Sequence, residues 1–279
     1  HEKIRFACAL PSPTAALKRS RTYETKRINK NYKSWNVQRL GPKHTAKDNM
    51  IFLHGFMGQA THMHTLAAKF ANDFNVWGVD LPYHGDNLTQ ALSWDSILDS
   101  LASVLLRFNN LWIYGYSMGG RLVYGLLDRY PQLIKYAVAE SAHPGLKSDL
   151  ERSQRIEFEQ NIITKMTQTD FKTFLANWYR ADLFKLDEES ITQLQKMTAP
   201  SPQLYAKALQ TYGLSSQPNL SHLLSHPNLL TVTGEGDQKY QDLLPDSLSI
   251  ADCAHKASFQ RPEAVYRQLI EYFKSHSWL

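Results

Sequence analysis

Apolar positions along the chain alternate between short continuous runs and longer stretches in which they recur three and four residues apart. The runs 50–53, 76–81, 111–114, 136–140 and 229–233 read as strands, with 34–40 as an edge strand before Gly41-Pro42 and 248–250 as a short late strand. Helical spacing marks 65–70, 96–108 (Ile97, Leu101, Val104, Leu105, Phe108), the stretch through Leu122, Val123, Leu126 and Leu127, and 262–273. Strands alternating with helices imply right-handed crossovers and a mostly parallel sheet with helices on both faces. After His143-Pro144-Gly145 the alternation stops, and 149–225 is mostly helical, including 156–164, 170–178 and 203–211. The predicted architecture is therefore an α/β core, 31–146 and 226–279, with a helical cap, 147–225, inserted between late strands. Ligands of such sheets bind outside the carboxyl ends of the strands, where the cap would lie. Residues 1–30 lack periodicity and are expected to be a poorly ordered or peripheral basic extension.

With 279 residues and 43% hydrophobic composition, the chain can bury one large core. No apolar run approaches the ~20 residues that span a bilayer, and 6–10 is too short for a signal-peptide core. Two cysteines, Cys8 and Cys253, cannot make a disulfide framework, so a reducing, cytoplasmic setting is expected. No CxxC or HExxH spacing occurs, and His62-Met63-His64 alone is a weak metal signal, so neither metal nor cofactor is expected. The net charge of +5 is partly carried by Lys18, Arg19, Arg21, Lys26, Arg27, Lys30 and Lys33. Without aromatic residues interleaved in a nucleic-acid motif, this arm reads as a solvated extension rather than a nucleic-acid surface. A monomer is the expected state.

The chemistry centres on LWIYGYSMGGRLVY, 111–124. Gly115-Tyr116-Ser117-Met118-Gly119 between an apolar run and a helical pattern has the form of a nucleophile elbow, with Ser117 as nucleophile or base at a helix N-terminus. Two later segments follow late strands: Thr233-Gly234-Glu235-Gly236-Asp237 and Ala254-His255. Ser, then Asp, then His is the chain order of α/β-hydrolases, and it supplies a base for the serine and a carboxylate that orients the imidazole. Asp237 is preferred over Glu235, and His255 over His84 and His143, which are read as structural or substrate-contacting. An oxyanion hole needs two N–H donors. Met118 and Phe56, the latter in His54-Gly55-Phe56-Met57-Gly58, are the candidates.

These motifs, with others, carry a resemblance. FLHGFMG (52–58), VDLPYHG (79–85), GYSMGGR (115–121), AESAHPGL (139–146), ERSQR (151–155), ANWY (176–179), TGEGDQKY (233–240) and AHKASFQRP (254–262) resemble the 2-succinyl-6-hydroxy-2,4-cyclohexadiene-1-carboxylate synthases of menaquinone biosynthesis, a branch of the α/β-hydrolase superfamily. The resemblance implies an α/β-hydrolase fold and elimination of pyruvate from a cyclohexene polycarboxylate. Ser117, activated by His255, would be the general base, and the small polyanionic substrate would meet Arg121, Arg155 and the neighbouring Arg152, with Tyr116 and Trp178 lining the pocket. Each arginine could instead belong to a solvated helix face. The family's further cap arginine is missing: this chain has Lys196-Met197-Thr198 there, and Lys196 would supply a point charge instead of a fork. Two other readings stay open. One is a hydrolase proper, a carboxylesterase, thioesterase or C–C bond hydrolase, for which an apolar pocket would argue. The other is a non-catalytic binding protein, for which a broken triad would.

Overall fold

The computed structural model describes residues 3–6, 35–44, 47–87, 93–199 and 201–279. In chain order the elements are β1 (Lys3–Phe6), β2 (Trp35–Arg39), β3 (Asn49–Leu53), α1 (His64–Phe70), β4 (Asn75–Val79), α2 (Trp94–Leu105), β5 (Leu111–Tyr116), α3 (Met118–Arg129), β6 (Ile134–Glu140), α4 (Asp149–Gln168), α5 (Phe171–Tyr179), α6 (Glu188–Met197), α7 (Pro202–Tyr212), β7 (Leu229–Gly234), α8 (Gln238–Leu243), β8 (Leu248–Ile250), α9 (Ala257–Gln260) and α10 (Pro262–Ser275). The eight strands form one sheet in the order β1-β2-β4-β3-β5-β6-β7-β8. From β4 onward every pairing is parallel, while β2 runs antiparallel to β4 and β1 antiparallel to β2.

The period of two along the central strands divides the core between the faces of the sheet. Ile51 and Leu53 of β3 and Leu111 and Ile113 of β5 join one cluster with α2 and α3, whose contributions include Leu101, Leu122 and Leu126. Met50, Phe52, Trp112 and Tyr114 point the other way and pack with Phe70 of α1 and Leu269 and Phe273 of α10. Both faces are covered, so these strands read as continuous apolar runs, the mark of a buried parallel sheet.

Three boundaries differ from the expectation. The strand at 35–39 is not the edge, because β1 pairs along its outer side with Lys3 opposite Gln38. An open strand edge offers a row of unpaired N–H and C=O groups, and any short extended segment can take it. Four residues inside a basic arm carry too little pattern to be recognised as a strand. The rest of the 1–30 extension lies outside the described residues. Helix α2 starts earlier than expected because Ser93 caps it reciprocally with Ser96. It ends at Leu105, after which Phe108 N–H bonds back to the Leu105 carbonyl in a tight turn.

Helices α4 to α7 lie between β6 and β7 and meet the core at the carboxyl ends of the strands. The Tyr212 hydroxyl donates to the Pro82 carbonyl at 2.7 Å, Leu220 N–H bonds the Pro144 carbonyl at 2.7 Å, and the ring of His62 bonds the Met197 carbonyl at 3.0 Å. No described helix is long and apolar enough to cross a membrane.

Two buried histidines stitch together the loops after β3 and β4. His54 accepts the Leu81 N–H at Nε2 (3.0 Å) and contacts the Gly55 carbonyl through Nδ1 (2.7 Å). His84 accepts the Met57 N–H at Nε2 (3.1 Å) and contacts the Pro82 carbonyl through Nδ1 (3.0 Å). In each case an N–H donor fixes Nε2 as the acceptor, so the proton sits on Nδ1 and the ring is neutral. Burial pushes both pKa values down to about 3. The shift is downward, so the stabilisation is fully present above the unfolded value near pH 6.5 and is lost as pH falls toward about 3. Each ring should therefore remove at most about 1.4 kcal/mol per pH unit across that window. Urea unfolding at pH 7 and pH 5 should give a lower midpoint at pH 5, and His84→Gln should be less stable at pH 7 but show a shallower pH slope. An unchanged slope would show that His84 titrates normally in the fold.

Candidate active site

The elbow begins with a conformational constraint. Ser117 joins β5 to α3 with φ +50° and ψ −107°, a region that L-residues avoid. Three features hold it there. Its N–H donates to the Glu140 carbonyl at 2.8 Å and its carbonyl receives the Arg121 N–H at 3.0 Å. Gly119, two residues on, lies so close to β3 that a Cβ there would run into the Leu53 carbonyl oxygen. The side chain of Glu140 then ties in two more elements: one oxygen accepts the Tyr114 hydroxyl (2.7 Å) and the other the Ser258 N–H (2.8 Å). Burial raises the Glu140 pKa, against these hydrogen bonds. Ser258 lies three residues past His255, so one carboxylate links the elbow to the histidine loop.

His255 follows β8 and completes a relay. Its Nε2 is 3.2 Å from Ser117 Oγ, and its Nδ1 is 2.7 Å from Asp237 Oδ2. Asp237 and His255 are 2% and 3% exposed, so water does not compete for that bond. The other Asp237 oxygen caps α8 by accepting the Tyr240 N–H at 3.4 Å. Glu235, the competing carboxylate, is exposed. Tyr240, Tyr116 and Phe184 surround the imidazole, with ring centroids 4.8, 5.6 and 5.6 Å away. The arrangement can pass a proton from the serine to the imidazole while the carboxylate fixes the ring.

The loop after β3 reaches the same place. A Cβ built on Gly55 would lie 2.7 Å from the Tyr116 ring and 3.5 Å from Ser117 Cβ, so only a glycine lets this backbone pass so near the serine. The next two N–H groups are spoken for, Met57 by His84 and Gly58 by the Gly55 carbonyl. Phe56 N–H comes just before them. Met118 is the first residue of α3, where N–H groups have no acceptor within the helix. The Phe56 ring meets Trp178 of α5 at 5.8 Å and Tyr205 of α7 at 5.9 Å, and Trp178 meets Phe184 at 6.1 Å. One wall of the site is thus aromatic, with Trp178 between the β3 loop and the histidine.

The cations fall into distinct groups. Arg121 of α3 is 7% exposed; its guanidinium donates to the Tyr212 carbonyl at 3.1 Å and to Gln217 Oε1 at 3.4 Å, and burial lowers its pKa to about 10. Arg155 of α4 donates through Nε to Glu159 at 2.9 Å. Arg152 is directed to backbone carbonyls of Ser215 and Gln217, which fastens α4 to the 3-10 turn after α7. Lys196 departs from the expectation: it is exposed in the last turn of α6, where a cation complements the helix's carbonyl end. Sequence reasoning passed over two other lysines. Lys256, buried beside His255, holds its ammonium 5.3 Å from the Tyr116 ring centroid, and burial lowers its pKa to about 8. Lys239 stands on α8 two residues after Asp237. Both adjoin triad candidates in the chain, a signal that was present, although nothing in their spacing set them apart from surface lysines. Gln217, fully buried, was also missed; it holds Arg121 and donates to the His143 carbonyl at 3.0 Å. His143 accepts the Gly145 N–H at 3.1 Å, and burial with the Lys239, Arg121 and Arg155 charges lowers its pKa to about 4.

Comparisons with known proteins agree with this architecture. The chain is 27% identical over 236 residues to a 2-succinyl-6-hydroxy-2,4-cyclohexadiene-1-carboxylate synthase of Escherichia coli O1:K1 / APEC, covering 81% of this chain and 93% of that one. It is 28% identical over 229 residues to the enzyme of the same name from Enterobacter sp. (strain 638), covering 77% and 88%. Among solved structures it is similar to MenH from S. aureus, with a TM-score of 0.75 and 24% identity over 87% of this chain and 98% of that one, a likeness of fold. The model of the alpha/beta hydrolase family matches residues 50–268. By that match, which spans most of its length, the chain belongs to the alpha/beta hydrolase family.

Proposed function

We propose that the protein is a carbon–oxygen lyase that eliminates pyruvate from 2-succinyl-5-enolpyruvyl-6-hydroxy-3-cyclohexene-1-carboxylate to give 2-succinyl-6-hydroxy-2,4-cyclohexadiene-1-carboxylate, a step of menaquinone biosynthesis. The observation that carries the reading is the pairing of a Ser117–His255–Asp237 relay with Arg121, a buried guanidinium whose partners here are neutral oxygens. Glu159, which Arg155 engages, is the carboxylate that acts on it, without a direct hydrogen bond, and a buried cation whose own donors meet only neutral oxygens favours an anionic ligand. The relatives' names supply the substrate class.

In this reading His255 draws the Ser117 proton onto Nε2, and Ser117 Oγ takes a ring proton from the substrate. The C–H electron pair becomes a ring double bond beside the succinyl group, the existing ring double bond shifts one carbon along, the carbon–oxygen bond to the side chain breaks, and pyruvate leaves as its enolate. The proton returned through Ser117 and His255 completes pyruvate. Negative charge gathers on the succinyl carbonyl oxygen beside the deprotonated ring carbon, and the N–H groups of Met118 and Phe56 meet it. Asp237 stabilises the imidazolium formed on the way. Arg121 and Arg155 bind substrate carboxylates, and Tyr116 and Trp178 face the ring. Ser117 acts as a base, so no acyl-enzyme forms.

Pyruvate release from the intermediate, generated in situ by the preceding enzyme, is measured beside a panel of p-nitrophenyl esters. Fast pyruvate release with negligible ester turnover is expected; the reverse would make the protein a serine hydrolase of the same fold. Ser117→Ala and His255→Ala should each lower kcat/KM by about 10⁴-fold, and full activity in either would remove the relay from the mechanism. Arg121→Ala should raise KM by about tenfold or more, and an unchanged kcat/KM would assign that guanidinium to holding Tyr212 and Gln217 alone.

A further inference from the structure

A further cation stands two residues past Asp237. Lys239 stands on α8 with its ammonium 5.8 Å from the Tyr240 ring centroid, and that ring lies 4.8 Å from the imidazole of His255. Tyr240 feels Arg155 from the cap and Arg121 from α3, which oppose the effect of its burial. Lys239 and Arg155 are within electrostatic reach of each other: partial burial and the Arg155 charge both lower the Lys239 pKa. The three charges also converge on His143. Of the three, only Arg155 is bonded to a carboxylate, Glu159, which also accepts the Leu214 N–H at 2.7 Å and the Ser215 hydroxyl at 2.5 Å. Lys239 makes no ion pair among the described residues. Glu159 acts on Arg121 as well as on Arg155, and Asp237 acts on Lys239, so two carboxylates face three cations, and an anion bound among them balances the remaining charge.

We propose that Lys239 is a specificity-determining residue which, with Arg121 and Arg155, clamps a substrate carboxylate at the rim of the site next to Tyr240 and His143. This deepens the lyase reading and takes its substrate class from it. Arg121 is buried and holds the anion from beneath, Arg155 reaches it from the cap, and Lys239 closes the side nearest Asp237. A flexible, solvent-accessible ammonium suits a rim position because it can follow the anion into the site.

Propane-1,2,3-tricarboxylate is the probe, with binding followed by tryptophan fluorescence, since Trp178 lines the site. Lys239→Ala should weaken binding by about fivefold to tenfold, Lys239→Arg should restore it to within about twofold, and the difference should shrink as NaCl rises toward about 1 M. Lys274→Ala, which removes the same charge from the last turn of α10, should bind as wild type. In the pyruvate assay Lys239→Ala should raise KM by a similar factor with kcat within about twofold. A Lys239→Ala variant with wild-type probe affinity and wild-type KM overturns the proposal, as does one no weaker than Lys274→Ala. A wild type that binds the probe through Lys239 but releases no pyruvate overturns the lyase reading and leaves the anion clamp standing.

Discussion

The positive φ of Ser117 is the constraint on which the site depends. A residue held there costs about 1–3 kcal/mol, and the strand-to-helix turn keeps it only because its neighbours leave no alternative. Gly119 packs against the carbonyl end of β3, the Glu140 carbonyl takes the Ser117 N–H, and α3 starts at once behind it. The serine is consequently lifted clear of the sheet and its oxygen faces the loop that carries His255. The same turn leaves the first N–H groups of α3, next to the serine, without an acceptor inside the helix.

Glu140 converts this local strain into an arrangement spanning three elements. Its backbone holds the elbow, and its carboxylate holds Tyr114 of β5 and the backbone just beyond His255. A carboxylate in a dry interior is expensive unless its oxygens are satisfied, and here each oxygen has a donor. The buried ammonium of Lys256 adds an attractive charge, which lowers the Glu140 pKa against the rise from burial. His54 and His84 do comparable work for the opposite wall as neutral rings that accept backbone N–H groups. Histidines near a candidate nucleophile are easily taken for bases, but both nitrogens of these two are already engaged with the backbone.

Core and cap together line the site with charge and apolar surface in separate places. Phe56, Trp178, Phe184 and Tyr205 form an aromatic wall next to the β3 loop. Arg121, Arg155 and Lys239 lie around Tyr240 and His143 on the side of Asp237. A ligand with a ring at one end and carboxylates at the other matches this division better than a neutral ester does.

Sequence pattern alone determined the strands and most of the helices from 49 onward, though not α6, α8 or α9, together with the insertion of helices between β6 and β7 and the order of Ser117, Asp237 and His255. Those features are legible because burial enforces periodicity, and because a sharp strand-to-helix turn tolerates little besides glycine around its central residue. Pairing of β1 with β2 was not legible, since backbone hydrogen bonds at a sheet edge demand no particular side chains. Nor was the choice among cations. Arg152, Lys196, Lys239 and Lys256 look alike along the chain, and only the packing of α4, α6, α8 and the loop after β8 directs one to backbone carbonyls, one to solvent, one to the rim and one into the interior. Charge acts through space at distances set by the fold, so its partners are decided by tertiary structure.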